Sequence, residues 1–178
     1  PGRGQPDPDA QVSLRLTLMR HAKSDWGDPG LPDHDRPLNA RGHRSARAIG
    51  GWLQDRNVRP TTVLLSTALR VAETWDGISP ALPDAAPQRL ERLYHAMPET
   101  ILDCVAAHPP GDVLVIAHNP GLAALAQYLV AQTPDRVEFH RFPTCATLVL
   151  DIPGDDWTAL GPACARVVDF VVPRDLTD

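Results

Sequence analysis

Val113-Leu114-Val115-Ile116-Ala117 is an unbroken apolar run bracketed by Asp112 and His118. Side chains of a strand alternate between the two faces of a sheet, so a run that is apolar at every position has to be covered on both. The run predicts a central strand with helices above and below it. Thr62-Val63-Leu64-Leu65-Ser66 reads as a second buried strand, and Leu14 to Met19 as a third, in which Leu14, Leu16 and Leu18 alternate with Arg15 and Thr17. A helical period follows each strand, with apolar residues at i, i+3, i+4 and i+7. The sets are Ala46, Ile49, Gly50 and Leu53; Ala68, Val71, Ala72 and Trp75; and Leu122, Leu125, Ala126 and Leu129. Strands alternating with helices predict an α/β protein, a three-layer α/β/α sandwich on a mostly parallel sheet.

The rest of the chain fits around that frame. Ile78 to Gln88 is rich in Pro and Ala and reads as a connection to a short strand at Arg89 to Leu93. Pro98 can open a helix whose core face uses Ile101, Cys104 and Val105, which makes Cys104 a packing residue. Ala146 to Leu150 and Arg166 to Val172 predict two final strands, turned at Pro153-Gly154-Asp155-Asp156. A chain of 178 residues is long enough for one well-buried core, so residues 12–178 are expected to form a single domain. Pro1 to Gln11 holds almost nothing to bury and is expected to be a disordered tail.

Charge narrows the partners. Seventeen Lys and Arg against 22 Asp and Glu leave a net −5, which argues against a general nucleic-acid surface and requires any anion site to be a local basic pocket. Cys104, Cys145 and Cys164 match neither a zinc pattern nor a disulfide framework, so no metal is expected. No apolar run approaches the roughly 20 residues of a membrane span, and no signal-like hydrophobic segment stands at the amino end. A soluble cytoplasmic protein with no membrane contact is the expectation.

Open α/β sheets place their chemistry beyond the carboxyl ends of the strands. The first strand delivers Arg20 and His21 to that rim, the second leads into a helix carrying Arg70 in its first turn, and the central strand ends on His118. Asn119 can cap the following helix, with Pro120 at its first position. Two guanidiniums and two imidazoles without a fixed carboxylate describe a phosphoryl pocket. Ser24 to Pro37, with four Asp, three Pro and two Gly, is a long loop leaving directly from His21. It is expected to wall the site, with Trp26 packed over it and Arg36 as a further cation.

Leu18-Met19-Arg20-His21-Ala22, the segment Ser66 to Thr74 around Arg70, and His118-Asn119-Pro120-Gly121 together resemble the histidine phosphatase superfamily, the phosphoglycerate-mutase-like fold. Asp35-Arg36-Pro37-Leu38, followed by Gly42, is similar to its short phosphohistidine phosphatase branch known as SixA. The likeness runs from Leu14 to Val172 and implies the fold without a large inserted lid, because Thr74 to Asp112 has no room for one. It further implies a phosphatase in which His21 takes the phosphoryl group while Arg20, Arg70 and His118 hold its oxygens, with Arg36 and Asn119 as further substrate contacts and no cofactor. Two departures stand out. Ala22 occupies the usual glycine position, so the turn after His21 has to keep an ordinary backbone. No leaving-group acid is evident; His95 is the candidate proton donor, ahead of Asp33 and Asp35. The expected substrate is phosphohistidine on a protein, such as a phosphotransfer domain. The alternatives are a small phosphomonoester or nucleotide, and a module that binds a phosphorylated ligand without turnover.

Overall fold

The computed structural model describes residues 14–177, so the expected tail at residues 1–11 lies outside the described residues. In chain order the elements are β1 (Leu14–Arg20), α1 (Ala40–Asp55), β2 (Thr62–Ser66), α2 (Leu69–Ile78), β3 (Ala86–Leu90), α3 (Pro98–Ala106), β4 (Asp112–Ala117), α4 (Gly121–Leu129), α5 (Val137–Arg141), β5 (Thr147–Ile152) and β6 (Arg166–Val171). The strands form one sheet in the order β3-β2-β4-β1-β5-β6. β1, β2, β3 and β4 pair in parallel, whereas β5 runs antiparallel to both β1 and β6.

β4 lies between β1 and β2, as its uninterrupted apolar run requires. Val113 and Val115 pack into one core cluster with Leu16, Leu18, Leu122 and Leu125. Leu114 and Ile116 pack into the other with Ile49, Leu53, Val71 and Trp75. Alternate side chains of one strand therefore serve two cores, with α1 and α2 covering one face and α3, α4 and α5 the other. This is the three-layer sandwich predicted. No helix among the described residues is long and apolar enough to cross a membrane.

Three local expectations need correction, and α5 adds to the predicted elements. The strand placed at Arg89 to Leu93 lies earlier, at Ala86–Leu90, and Glu91–Leu93 is a 3-10 turn. Pro87 had argued for a connection, but β3 is an edge strand hydrogen-bonded only to β2, where a missing N–H is tolerated. The short helix α5 carried no recognisable period. The Pro153 to Asp156 turn is only the start of the link between β5 and β6, which continues through a 3-10 turn at Trp157–Ala159 anchored by Trp157 Nε1 donating to the Pro109 carbonyl at 3.2 Å. Finally, α4 starts at Gly121 with Pro120 at the cap position and no side-chain cap.

Asn39 does cap α1, its Oδ1 accepting from the Gly42 N–H at 2.8 Å. The next constraint is steric. A Cβ on Gly42 would stand 2.2 Å from the Lys23 carbonyl oxygen, so the bare backbone here lets α1 press against the chain leaving His21. Gly51, in the same helix, would meet nothing within 4 Å. Gly42→Ala should therefore cost roughly 2 kcal/mol or more through backbone displacement, whereas Gly51→Ala should be neutral or stabilising by up to about 1 kcal/mol. Paired denaturant melts check this, and equal effects at the two positions would refute it.

Candidate active site

The register of β1 on β4 places Arg20 opposite Ala117, so the next residues, His21 and His118, emerge side by side at the carboxyl rim. Their ring centroids are 5.2 Å apart. α2 starts close by at the end of β2 and brings in Arg70, whose Nε lies 3.4 Å from His21 Nε2 and whose terminal nitrogen lies 3.3 Å from His118 Nδ1. Arg20 completes the group, donating to the Phe142 carbonyl at 3.2 Å, while its Nε is buried without an acceptor among the described residues. The four residues picked out in the sequence thus share one cavity of about 240 Å³.

The hydrogen bonds fix both imidazole tautomers. His21 Nδ1 is 2.7 Å from the Ala22 carbonyl, which can only accept, so Nδ1 carries the proton and the Nε2 lone pair, on the pocket side, accepts from the Arg70 Nε–H. His118 Nδ1 faces the Arg70 guanidinium, which can only donate, so its Nε2–H donates to Ser66 Oγ at 2.7 Å. Burial lowers the His21 pKa to about 3, with Arg70, Arg20 and Arg36 adding to the effect against the Ala22 bond. Burial also lowers His118 to about 3, helped by His21, Arg70 and His95. Both rings are neutral near pH 7, and the unprotonated His21 Nε2 lies beside a cation.

α2 supplies more than Arg70. Thr74 Oγ1 accepts from the Ala22 N–H at 2.9 Å, and Glu73 Oε2 accepts from the Leu38 N–H at 2.6 Å. Residues i, i+3 and i+4 of one helix face therefore hold the turn after His21 and the end of the loop together. Positive φ occurs at five non-glycine positions among the described residues, and Ala22 is not one of them. Alanine fits this turn.

The long loop walls the cavity with Ser24, Trp26, Asp33 and Arg36. Arg36 is 7% exposed and spends three of its five N–H donors on the loop: it donates to Ser24 Oγ at 2.7 Å and to Asp33 Oδ1 through Nε at 3.2 Å and a terminal nitrogen at 2.7 Å, under the Trp26 ring at 3.6 Å. Trp26 itself is 69% exposed and covers Arg36 from outside, lying over the loop. Asn119 also lines the cavity, but it is no helix cap. Its Nδ2 donates to the Arg141 and Phe142 carbonyls at 3.1 and 2.9 Å, because those carbonyls face it across the wall of the pocket.

Sequence reasoning gave too little weight to Asp33. Its carboxylate accepts from Arg36, from Arg70 at 3.1 Å, from Tyr94 Oη at 2.5 Å and from His95 Nε2 at 3.1 Å, and its carbonyl accepts from Arg70 at 2.7 Å. Desolvation works against ionisation, but the bonds from Tyr94, Arg36 and His95 and the Arg70 charge outweigh it and hold the carboxyl well below the usual range. Asp33 is therefore a fixed anion and not a proton donor. It also brings in Tyr94, which the sequence did not single out. His95 adopts φ +52° and stacks on His118 with centroids 5.2 Å apart, so the candidate acid belongs to the pocket and not to the general surface. Asp35 does not line the cavity. Cys104 and Cys145 are buried thiols with raised pKa values, Cys145 to about 12 through desolvation, which suits packing and not attack.

No group of three or more His, Cys, Asp or Glu side chains among the described residues is arranged to hold a metal ion. A larger cavity, about 560 Å³, opens at the amino ends of β2 and β3 among Gln54, Arg59, Thr61 and Leu82, but no nucleophile or imidazole lines it. The pocket electrostatics set a pH dependence of stability. Unfolded histidines take up protons below about pH 6.5, whereas His21 and His118 resist protonation until about 3. Their contribution is greatest above about pH 6.5, shrinks as the pH falls, and levels off near 3. By pH 5 each should have lost about 2 kcal/mol. Tm measured at pH 7 and 5 should drop in the wild type and drop less in His21→Gln and in His118→Gln; an unchanged difference in both variants would contradict the assignment.

Comparison with known proteins follows the same geometry. The family model described as histidine phosphatase superfamily (branch 1) matches residues 16–96. An uncharacterized protein of Mycobacterium tuberculosis is 40% identical over 168 residues, spanning 88% of this chain and 100% of its own length. Phosphohistidine phosphatase SixA of Escherichia coli is 30% identical over 129 residues, 67% of this chain and 73% of SixA. A solved structure of a SixA phosphohistidine phosphatase candidate from Agrobacterium tumefaciens superposes with a TM-score of 0.74 at 31% identity, covering 90% of this chain and 98% of the other. The family model, the relatives and the superposition have one conclusion: the chain belongs to the histidine phosphatase superfamily, in its SixA-like group.

Proposed function

We propose that this phosphatase dephosphorylates phosphohistidine carried on a protein, through a phosphohistidine intermediate on His21 and without a metal. The observation that carries the reading is the His21 ring, neutral and with Nε2 unprotonated beside the Arg70 guanidinium. In the first step Nε2 attacks phosphorus and the substrate's P–N bond breaks as the new one forms. The departing imidazole keeps a proton that it already carries or takes one from Nδ1 of a doubly protonated His95, whose Nε2–H stays on the Asp33 carboxylate and which is left as a neutral ring. In the second step water attacks the phosphoryl-His21 bond, releasing inorganic phosphate and a proton and restoring the ring.

Arg20 and Arg70 supply the positive field for the three phosphoryl oxygens, the part played by a metal ion in other phosphotransferases. His118 joins them once an anion lies beside it, because a dianion favours the imidazolium that burial alone disfavours. Arg36 holds the loop in place through Ser24 and Asp33, and as a residue lining the pocket it offers its two remaining N–H groups to substrate oxygens. Asn119 likewise positions the wall through the Arg141 and Phe142 carbonyls. Asp33 is the positioning residue that keeps Arg70, Tyr94 and His95 in register.

The substrate class follows from shape and leaving group. The cavity is small and open, covered by no inserted lid, which suits a modified side chain presented by a folded protein. A phosphorylated imidazole leaves readily once protonated, so it asks less of an enzymic acid than an alkyl ester does. The named function of the Escherichia coli relative supports the same choice. A small phosphomonoester is the competing substrate, and kcat/KM measured on phosphohistidine proteins against sugar, nucleotide and aryl phosphates separates the two. Ala22 had left room for a module that only binds; the intact nucleophile geometry favours turnover.

Rapid quenching with a labelled phosphohistidine protein should place an acid-labile label on His21, and His21→Ala should show neither label nor turnover. Residual phosphate release by that variant would refute the mechanism. Asp33→Asn keeps the shape and the backbone carbonyl bond to Arg70 but removes the negative charge that faces Arg36, Arg70 and His95, and should lower kcat/KM roughly 10- to 100-fold, as expected for loss of a charged hydrogen-bond partner worth about 1.5–3 kcal/mol. An unchanged rate would remove Asp33 from the account.

A further inference from the structure

Next to the phosphoryl pocket lies a second cavity of about 210 Å³, formed where the first turn of α1 meets α5 and the segment after β6. Thr144 lines both cavities. Arg41, Arg141 and Arg174 line the second one, all three exposed, and among the described residues none has a carboxylate within 4 Å. The single acid lining it, Glu138, lies 3.6 Å from Arg136 Nε and is thus already drawn toward another cation. Taken together, the adjoining cavities are lined by seven of the chain's 17 Lys and Arg residues and by two of its 22 Asp and Glu. A protein with a net charge of −5 thus has a local excess of positive charge along these two cavities.

We infer that Arg41, Arg141 and Arg174 form a second anion subsite that receives carboxylates of the substrate protein flanking its phosphorylated residue. The inference rests on the phosphohistidine reading and deepens it by assigning the charge of the surrounding sequence. The phosphoryl group is held in one cavity while an acidic stretch crosses the Thr144 wall into the next. An extended chain advances at most about 3.5 Å per residue, so acids two to four positions from the phosphohistidine span about 7–14 Å, the scale of neighbouring side-chain pockets. Guanidiniums suit this task because their planar donor forks match carboxylates, and exposed cations raise the rate of encounter with an acidic surface. The three arginines belong to separate segments, at the start of α1, the end of α5 and the turn after β6, so the convergence is a product of the fold.

The test uses two phosphohistidine peptides that differ only in carrying Glu or Gln at positions two to four residues from the phosphohistidine. The wild type should prefer the Glu peptide by about tenfold in kcat/KM, the scale expected when several exposed ion pairs act together, and the preference should fade with added salt. In R41Q/R141Q/R174Q the ratio should fall to about one at every salt concentration. Equal turnover of the two peptides by the wild type, or an undiminished ratio in the triple variant, would overturn the inference. So would an arginine-dependent preference for a bisphosphorylated sugar with none for the peptide, which would assign the subsite to a small polyanion. If the wild type hydrolyses an aryl phosphate but neither peptide, the phosphohistidine reading fails by itself. The subsite is then judged by inhibition of aryl phosphate hydrolysis by the unphosphorylated Glu peptide. Inhibition weakened about tenfold in the triple variant upholds it, and equal inhibition overturns it.

Discussion

The parallel pairing of β1 with β4 is the constraint from which the site follows. It aligns Arg20 with Ala117, so one further residue on each strand puts two imidazoles at the same height on the rim, and the His21 N–H donates to the Ala117 carbonyl at 3.1 Å to lock that step. The pairing holds because β4 is apolar on both faces and is buried in both cores. A slip of one residue would exchange the faces and strand alternate leucines and valines against the wrong helices. The energy of the two cores thus maintains the spacing of the two histidines.

Burial then determines the protonation states. His21, His118 and Arg70 are nearly solvent-free, and crowding two imidazoles against guanidiniums keeps the rings neutral. A neutral ring with a defined tautomer is the form that can attack phosphorus. Asp33 offsets part of the excess positive charge from the loop side, accepting from Arg36, Arg70, Tyr94 and His95. The loop is long because it has to travel from His21 out to Trp26 and return to set this carboxylate against the arginines.

Much of the fold was legible because two-sided burial writes itself into consecutive residues. β4 and β2 announced themselves as unbroken apolar runs, and α1, α2 and α4 by their helical period. β3 was misplaced because an edge strand has little to bury and tolerates Pro87, which in a central strand would be disallowed. Asn119 looked like a cap because the residue type and spacing were right, yet its amide is taken by carbonyls more than 20 residues further along the chain. Nothing local reports such a competitor. α5 is too short for a period to emerge.

The sequence by itself determined the layers, the central strand, the residues at the strand ends and the family likeness carried by Arg20, His21, Arg70 and His118. These are matters of local periodicity and of position along one element. Only the tertiary structure decided that Asp33 is a pocket anion, that Arg36 holds the loop, that His95 stacks on His118, and that Arg41, Arg141 and Arg174 meet in one cavity. Each of these depends on the meeting of segments far apart in the chain, and a side chain's charge and hydrogen-bonding role are set by what the fold puts beside it.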